Sequence, residues 1–89
     1  IKKRRPAVIA SNNISNKHLK RYQVVPLSGN VDKLYPSETK IRFGKITAKA
    51  MADQLTTVSE LRFLEKAGEI SGIEMKAVDY IIRLQLDLD

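Results

Sequence analysis

The chain of 89 residues contains no cysteine. That excludes a disulfide framework and a thiolate-held metal, and it fits a cytosolic setting. Histidine occurs once, as His18 in a basic stretch, the usual place of a solvated side chain rather than of a ligand or catalytic base. Nothing apolar approaches the ~18 residues of a membrane span, and no signal peptide is visible. Aromatic residues number five, Tyr22, Tyr35, Phe43, Phe63 and Tyr80, and they do not fall at alternate positions of one strand. Acid is scarce in the first half. Residues 1–45 hold eleven Lys or Arg against Asp32 and Glu38, a net of +9, whereas residues 46–89 hold five basic and eight acidic residues, a net of −3. This split predicts one face for a polyanion and another for solvent or a subunit contact. The basic half lacks a basic amphipathic helix of the membrane-surface kind. The length predicts one domain over residues 1–89, with a core thin enough that a partner chain would help.

What is present is organised around Arg4-Arg5-Pro6-Ala7-Val8-Ile9-Ala10-Ser11-Asn12. A short buried strand over 7–11 follows a proline that tolerates the first strand position and extends the backbone of Arg5. Asn12, Asn13, Ser15 and Asn16 read as a loop. Tyr22–Leu27 reads as a second strand around β-branched Val24 and Val25, with Pro26 at an edge or at the strand end. Ser28-Gly29-Asn30 follows as a turn, with a hydroxyl beside a glycine whose backbone N–H groups can approach a phosphate closely. Alternation over Glu38–Phe43 predicts a third strand. After Gly44-Lys45 a fourth is expected over Ile46–Leu55, where Ala48, Ala50 and Ala52 would let another element come close. Val58-Ser59 leads into a helical turn, Glu60–Arg62, and Phe63–Ile70 reads as a last strand with a bend at Gly68. Ser71 and Glu74 have capping-box spacing, and a helix to about Leu86 presents Ile73, Ala77, Ile81, Leu84 and Leu88 as a stripe widened by Val78 and Ile82. The wide stripe and the alanine-lined strand together predict a homodimer.

In that order the motifs resemble the MazF/PemK family, the toxin half of bacterial toxin–antitoxin pairs. The resemblance is carried by Arg5-Pro6-Ala7-Val8-Ile9, Asn12, Val24 through Val31, Tyr35-Pro36, Lys49 through Leu55 and Leu84-Gln85-Leu86. It implies an α+β, mainly β fold: a small SH3-like barrel of CcdB/PemK type with a short helix and a C-terminal α-helix. It also implies a cytoplasmic bacterial homodimer, neutralised by a cognate MazE-like antitoxin, that cleaves single-stranded RNA (mRNA) at short sequences with no metal or other cofactor and no membrane. Members of the family usually carry an additional strand and a loop before the Arg-Pro motif; the chain is expected to lack them. Many have Thr where Ser28 stands and a basic residue where Thr56 stands.

The chemistry can be reasoned from the residues. Metal-free RNA cleavage uses the ribose 2′-hydroxyl against its own 3′-phosphate, so the enzyme must meet charge on phosphoryl oxygens. Arg5 offers a permanently charged planar fork, and Ser28 with the Gly29 amide can donate in the manner of an oxyanion hole. These are the candidate catalytic groups. Lys3, Arg4, Asn12, Gly29, Asn30, Asp53 and Gln54 are the candidate RNA contacts, Gln54 being able to read the edge of a splayed base. No general base is evident. Two other functions fit the same chain. One is a non-catalytic toxin that binds a protein such as DNA gyrase, which has no chemical need for Arg5 and Ser28. The other is a plain RNA-binding barrel, which would group its aromatics on one sheet face.

Overall fold

The computed structural model describes residues 6–62 and 69–88. Lys3, Arg4, Arg5 and most of the expected Phe63–Ile70 strand lie outside these. In chain order the elements are β1 (Ala7–Ile9), α1 (Asn13–Leu19), β2 (Arg21–Ser28), β3 (Glu38–Phe43), β4 (Ile46–Met51), β5 (Thr56–Ser59) and α2 (Gly72–Gln85), with single 3-10 turns at Ala52–Gln54 and Glu60–Arg62.

All strand pairs are antiparallel, and β2 is the hub. β1 lies on one edge, with Ala7 opposite Pro26 and Ile9 opposite Val24. The other edge is shared by two strands. β4 takes the C-terminal end, Leu27 opposite Ala50 and Ser28 opposite Lys49. β5 takes the N-terminal end, from Val24 opposite Thr56 to Arg21 opposite Ser59. β3 pairs along β4, joined to it by a turn in which Gly44 takes φ +57°, the left-handed backbone that a two-residue hairpin turn favours. Two residues separate Val24 from Leu27 on β2, and five separate Ala50 from Thr56. The surplus is the 3-10 turn Ala52–Gln54, an enlarged bulge that bends the sheet into a curled half barrel. The fourth strand therefore ends at Met51, short of Leu55, and Thr56–Ser59 is a strand of its own.

Pro26 sits inside β2, neither at an edge nor at the end. Leu27 N–H donates to the Pro6 carbonyl at 3.1 Å, and the Gln23 carbonyl accepts from Ala10 N–H at 2.8 Å. Odd-numbered residues of β2 thus point their backbone groups at β1, and even-numbered ones at the opposite edge. The N–H that Pro26 lacks would face the gap between β4 and β5, where no ladder partner waits.

The stretch expected as a loop after Asn12 is the helix α1. Its polar residues are helix starters rather than loop formers. The Asn12 carbonyl accepts from Asn16 N–H at 3.0 Å. Asn16 is buried and satisfied: its side-chain oxygen accepts from the Ser11 hydroxyl, and its amide donates to the Ser11 carbonyl at 3.3 Å. Ser11 Oγ in turn accepts Gln23 N–H at 3.0 Å, tying the β1–α1 corner to β2. α1 ends at Lys20, which takes the left-handed conformation with φ +55°.

The core gathers Val8, Val25, Leu27, Ile41, Ala48, Ala50, Ala52, Val78 and Ile81. The small side chains of β4 admit α2 onto the sheet, so the alanine face is spent inside one chain and is not available to a second. α2 begins with the expected capping box: Ser71 Oγ accepts Glu74 N–H at 3.1 Å, and Glu74 Oε1 accepts Ser71 N–H at 3.3 Å. Glu74 also accepts the backbone N–H of Arg42, covering part of the outer strand β3 with the helix cap. That N–H first, and the Ser71 groups after it, hold the Glu74 carboxyl below its usual range against the opposing effect of burial. Of the expected stripe only Val78 and Ile81 are fully buried, with Ala77 and Ile82 half-buried; Ile73, Leu84 and Leu88 are exposed.

Candidate functional site

Ser28 closes β2 and opens a nine-residue connection, 29–37, to β3. Its Oγ accepts Asn30 N–H at 3.2 Å, and Asn30 Oδ1 accepts Asp32 N–H at 3.4 Å. Two such side-chain turns in succession fold the chain sharply after the strand. Asn30 engages one lone pair of Oγ and leaves the hydroxyl its capacity to donate. Gly29 is exposed, its φ lies outside the left-handed region, and a Cβ there would meet nothing within 4 Å. The fold does not require glycine at this position; its effect is to leave the backbone open to an incoming group.

Opposite Ser28 on β4 is Lys49, and opposite Lys49 on β3 is Lys40. Cross-strand partners share a face, so Ser28 stands on a basic face to which Glu38 and Arg42 also belong by alternation. The side chains of Lys49 and Glu38 are only 10 % and 6 % exposed and form an ion pair at 3.0 Å. Lys49 also donates to the Lys33 carbonyl at 3.0 Å, and Glu38 Oε1 accepts Tyr35 N–H at 2.9 Å. The Tyr35 N–H foremost, and then Lys49, hold the Glu38 carboxyl below its usual range, against the upward push of burial. Lys33 Nζ stands 5.2 Å and Lys49 Nζ 5.8 Å from the Tyr35 ring centroid. Lys49 is thus a strut from β4 to the connection that carries Gly29 and Asn30.

The remaining expected site residues are distributed along β2. Pro6, which follows Arg5, is bonded to Leu27, which precedes Ser28. Asp53 and Gln54 are exposed on the 3-10 turn beside the middle of β2, where the Gln54 amide donates to Met51 Sδ at 3.7 Å. Asn12 lies beyond the far end of β1, near Gln23, roughly 17 Å along the strand from Ser28 at ~3.3 Å per residue. One chain therefore joins Ser28, Gly29 and Asn30 in a single turn, sets Asp53 and Gln54 on the 3-10 turn beside the middle of β2, and holds Asn12 apart. Two open clefts, of about 290 and 480 Å³, lie at the Gln23 end of β2 and do not include Ser28.

Residues 1–86 match the family model described as "PemK-like, MazF-like toxin of type II toxin-antitoxin system". The chain belongs to this family. It is 31 % identical over 93 residues to Endoribonuclease MazF9 of Mycobacterium tuberculosis (strain ATCC 25618 / H37Rv), an alignment covering 94 % of this chain and 79 % of that protein. Its fold is similar to that of the Mycobacterium tuberculosis toxin MazF-mt6, with TM-score 0.84 and 21 % identity over 100 % of this chain and 92 % of the other. It is also similar to a MazE–MazF structure from Deinococcus radiodurans, with TM-score 0.85 and 22 % identity over 97 % and 84 % of the two chains. A mycobacterial endoribonuclease in complex with its cognate antitoxin gives TM-score 0.86 and 22 % identity over 96 % and 82 %. These likenesses show the mostly β fold with its C-terminal helix.

Within this PemK/MazF-like frame the Lys49–Glu38 pair and its link to Tyr35 went unread in the residue pattern. Two signals were available. Lys49 is a charge set between two core alanines, and Glu38 is one of only two acids in the basic half. Each is an oddity that the other resolves. Among the described residues no His, Asp or Glu cluster is arranged to hold a metal ion, and no helix is long and apolar enough to cross a membrane.

Proposed function

We propose that the chain is a sequence-specific, metal-independent endoribonuclease that cleaves single-stranded mRNA in the bacterial cytoplasm. The ribose 2′-oxygen forms a bond to the adjacent phosphorus while the 5′-oxygen of the next nucleotide leaves, so the products are a cyclic 2′,3′-phosphate and a 5′-hydroxyl. Arg5 takes the charge that grows on the phosphoryl oxygens. Ser28 donates its hydroxyl to the same group, beside the open backbone of Gly29. The observation that carries this reading is the match to a toxin family over residues 1–86, together with a relative named as an endoribonuclease. The basic face around Ser28 supplies attraction to the phosphate chain.

Two assemblies belong to the same proposal. A homodimer is supported by the apolar residues that α2 and the chain after it leave exposed, Tyr80, Leu84, Leu86 and Leu88. A cognate MazE-like antitoxin segment, acidic and ordered on binding, is supported by the +9 half of the chain and by relatives solved with theirs. Incubation with a long single-stranded RNA in excess EDTA, with both new ends mapped, is the test. Cuts at a recurrent short sequence bearing 5′-hydroxyl ends are expected. Intact RNA under growth-arresting doses of the protein would favour a protein target such as DNA gyrase instead.

A further inference from the structure

Tyr35 is the aromatic side chain exposed on the connection that follows Ser28, at 53 % accessibility. An aromatic ring left half in water next to a phosphate-binding turn calls for a reason. Its backbone is held on both sides: Tyr35 N–H donates to Glu38 Oε1 at 2.9 Å, and the Tyr35 carbonyl accepts Glu38 N–H at 2.9 Å. Pro36 follows and restricts Tyr35 to extended backbone. The anchor of this arrangement, Glu38, is itself fixed by Lys49, which pairs across the sheet with Ser28. The backbone that carries the ring is therefore held, on the connection that Lys49, the cross-strand partner of Ser28, braces. Lys33 is exposed, and its Nζ lies 5.2 Å from the ring centroid in a cation–π contact.

We propose that Tyr35 and Lys33 form a nucleotide subsite: one unpaired base flanking the cut phosphate stacks on the Tyr35 ring, and Lys33 swings from the ring to the phosphate of that nucleotide. The inference rests on the endoribonuclease reading above. The parts match what single-stranded RNA offers. Every base has a π-face for the ring and every nucleotide has a charge for the ammonium. A backbone held before binding lessens the freedom lost when the base arrives. The buried Lys49–Glu38 pair is neutral overall and serves as the mount, so the charge the RNA meets at this point is that of Lys33. A ring whose purpose was only to shield the ion pair from water would be replaceable by any apolar side chain of similar size.

That distinction sets the test. The chain has no tryptophan, so Tyr35→Trp introduces a single indole at the platform. The probe is a short RNA spanning a mapped cut, made uncleavable by a 2′-deoxy sugar at the cut. Saturable quenching of the indole by at least twofold is expected, and it should vanish when the flanking nucleotide is made abasic. In cleavage assays Tyr35→Phe and Tyr35→Trp should stay within about threefold of wild type. Tyr35→Leu should raise KM roughly tenfold to a hundredfold, in line with losing one base–aromatic stack. Lys33→Ala should lessen the salt dependence of binding by about one counterion. Unquenched indole in the presence of bound RNA, or a Tyr35→Leu variant with wild-type KM and cut sites, would overturn the subsite while leaving the nuclease reading intact. If no RNA is bound or cut by the wild-type protein, the nuclease reading falls and the subsite falls with it.

Discussion

Replacing Lys49 by methionine should be among the most damaging single changes outside the apolar core. The stem length is kept, so little packing is lost, but the Glu38 carboxylate is stranded with a single remaining donor, Tyr35 N–H, and the Lys33 carbonyl loses its partner. Removing one member of a buried ion pair costs ~3–5 kcal/mol; because both side chains retain some exposure, the lower end, about 3 kcal/mol, applies. A domain of this size has a total stability of roughly 4–13 kcal/mol, and each kcal/mol shifts Tm by about 4–8 °C. Lys49→Met should therefore lower Tm by about 12–24 °C at pH 7. Adding Glu38→Gln removes the stranded charge while its amide oxygen still accepts Tyr35 N–H, so the double variant should recover at least half the loss. The pH dependence carries a definite sign. The Glu38 carboxyl is lowered in the native state from its usual 4.5, so its contribution is present above that value and is lost as pH falls through the lower, native one. In Lys49→Met the carboxylate can take up a proton, and the gap to wild type should narrow below about pH 4.5. Urea unfolding followed by circular dichroism, at one fixed protomer concentration because of the proposed dimer, measures all three proteins. A Lys49→Met protein within about 0.5 kcal/mol of wild type at pH 7, against the expected figure, or a double variant less stable than the single, would refute the assignment of a buried, mutually dependent pair.

Four other sets of outcomes are expected. Ser71→Ala removes the cap of α2 and should cost about 1 kcal/mol, read as a Tm drop of several degrees with the fold retained. In single-turnover cleavage at saturating RNA, Arg5→Ala should lower the rate by on the order of 10²-fold, and Arg5→Lys should rescue only part of it. In the same assay Ser28→Thr should be active, Ser28→Ala should not, and Lys3→Ala should alter binding alone. Because nothing occupies the place of a Cβ at Gly29, Gly29→Ala should fold with wild-type stability; a fall in its cleavage rate would then report close approach of the phosphate to that backbone, and an unchanged rate would remove the proposed contact.

The elements that announced themselves did so through local rules. Ser71 and Glu74 have a spacing that only a helix start exploits, and Thr39, Ile41 and Phe43 alternate with charged residues as a half-buried strand must. What stayed hidden depends on partners distant in the chain. α1 was concealed because Asn and Ser serve both loops and helix starts, and the choice is made by burial of Asn16 against Ser11, which is itself tied to Gln23. The break after Met51 was concealed because Ala48, Ala50 and Ala52 continue the same alternation through it; only the need of β2 to hold two partners on one edge reveals the turn. Ser28, Gly29 and Asn30 were legible as a turn with a hydroxyl, while the support beneath it, Lys49 with Glu38, became visible once three strands were laid side by side.

Pro26 has a consequence for how the sheet avoids assembling wrongly. A strand that presents donors along its whole edge would accept β4 or β5 displaced by a pair of residues, preserving the inward-facing pattern at little penalty. At Pro26 such a displacement brings a carbonyl up against a position with no hydrogen to give, and the misaligned ladder loses a bond that the native one never needs. The missing N–H thus works as a punctuation mark between two ladders, marking where that of β4 must stop and that of β5 can begin, and Pro26→Ala should erase that mark while leaving the native contacts in place.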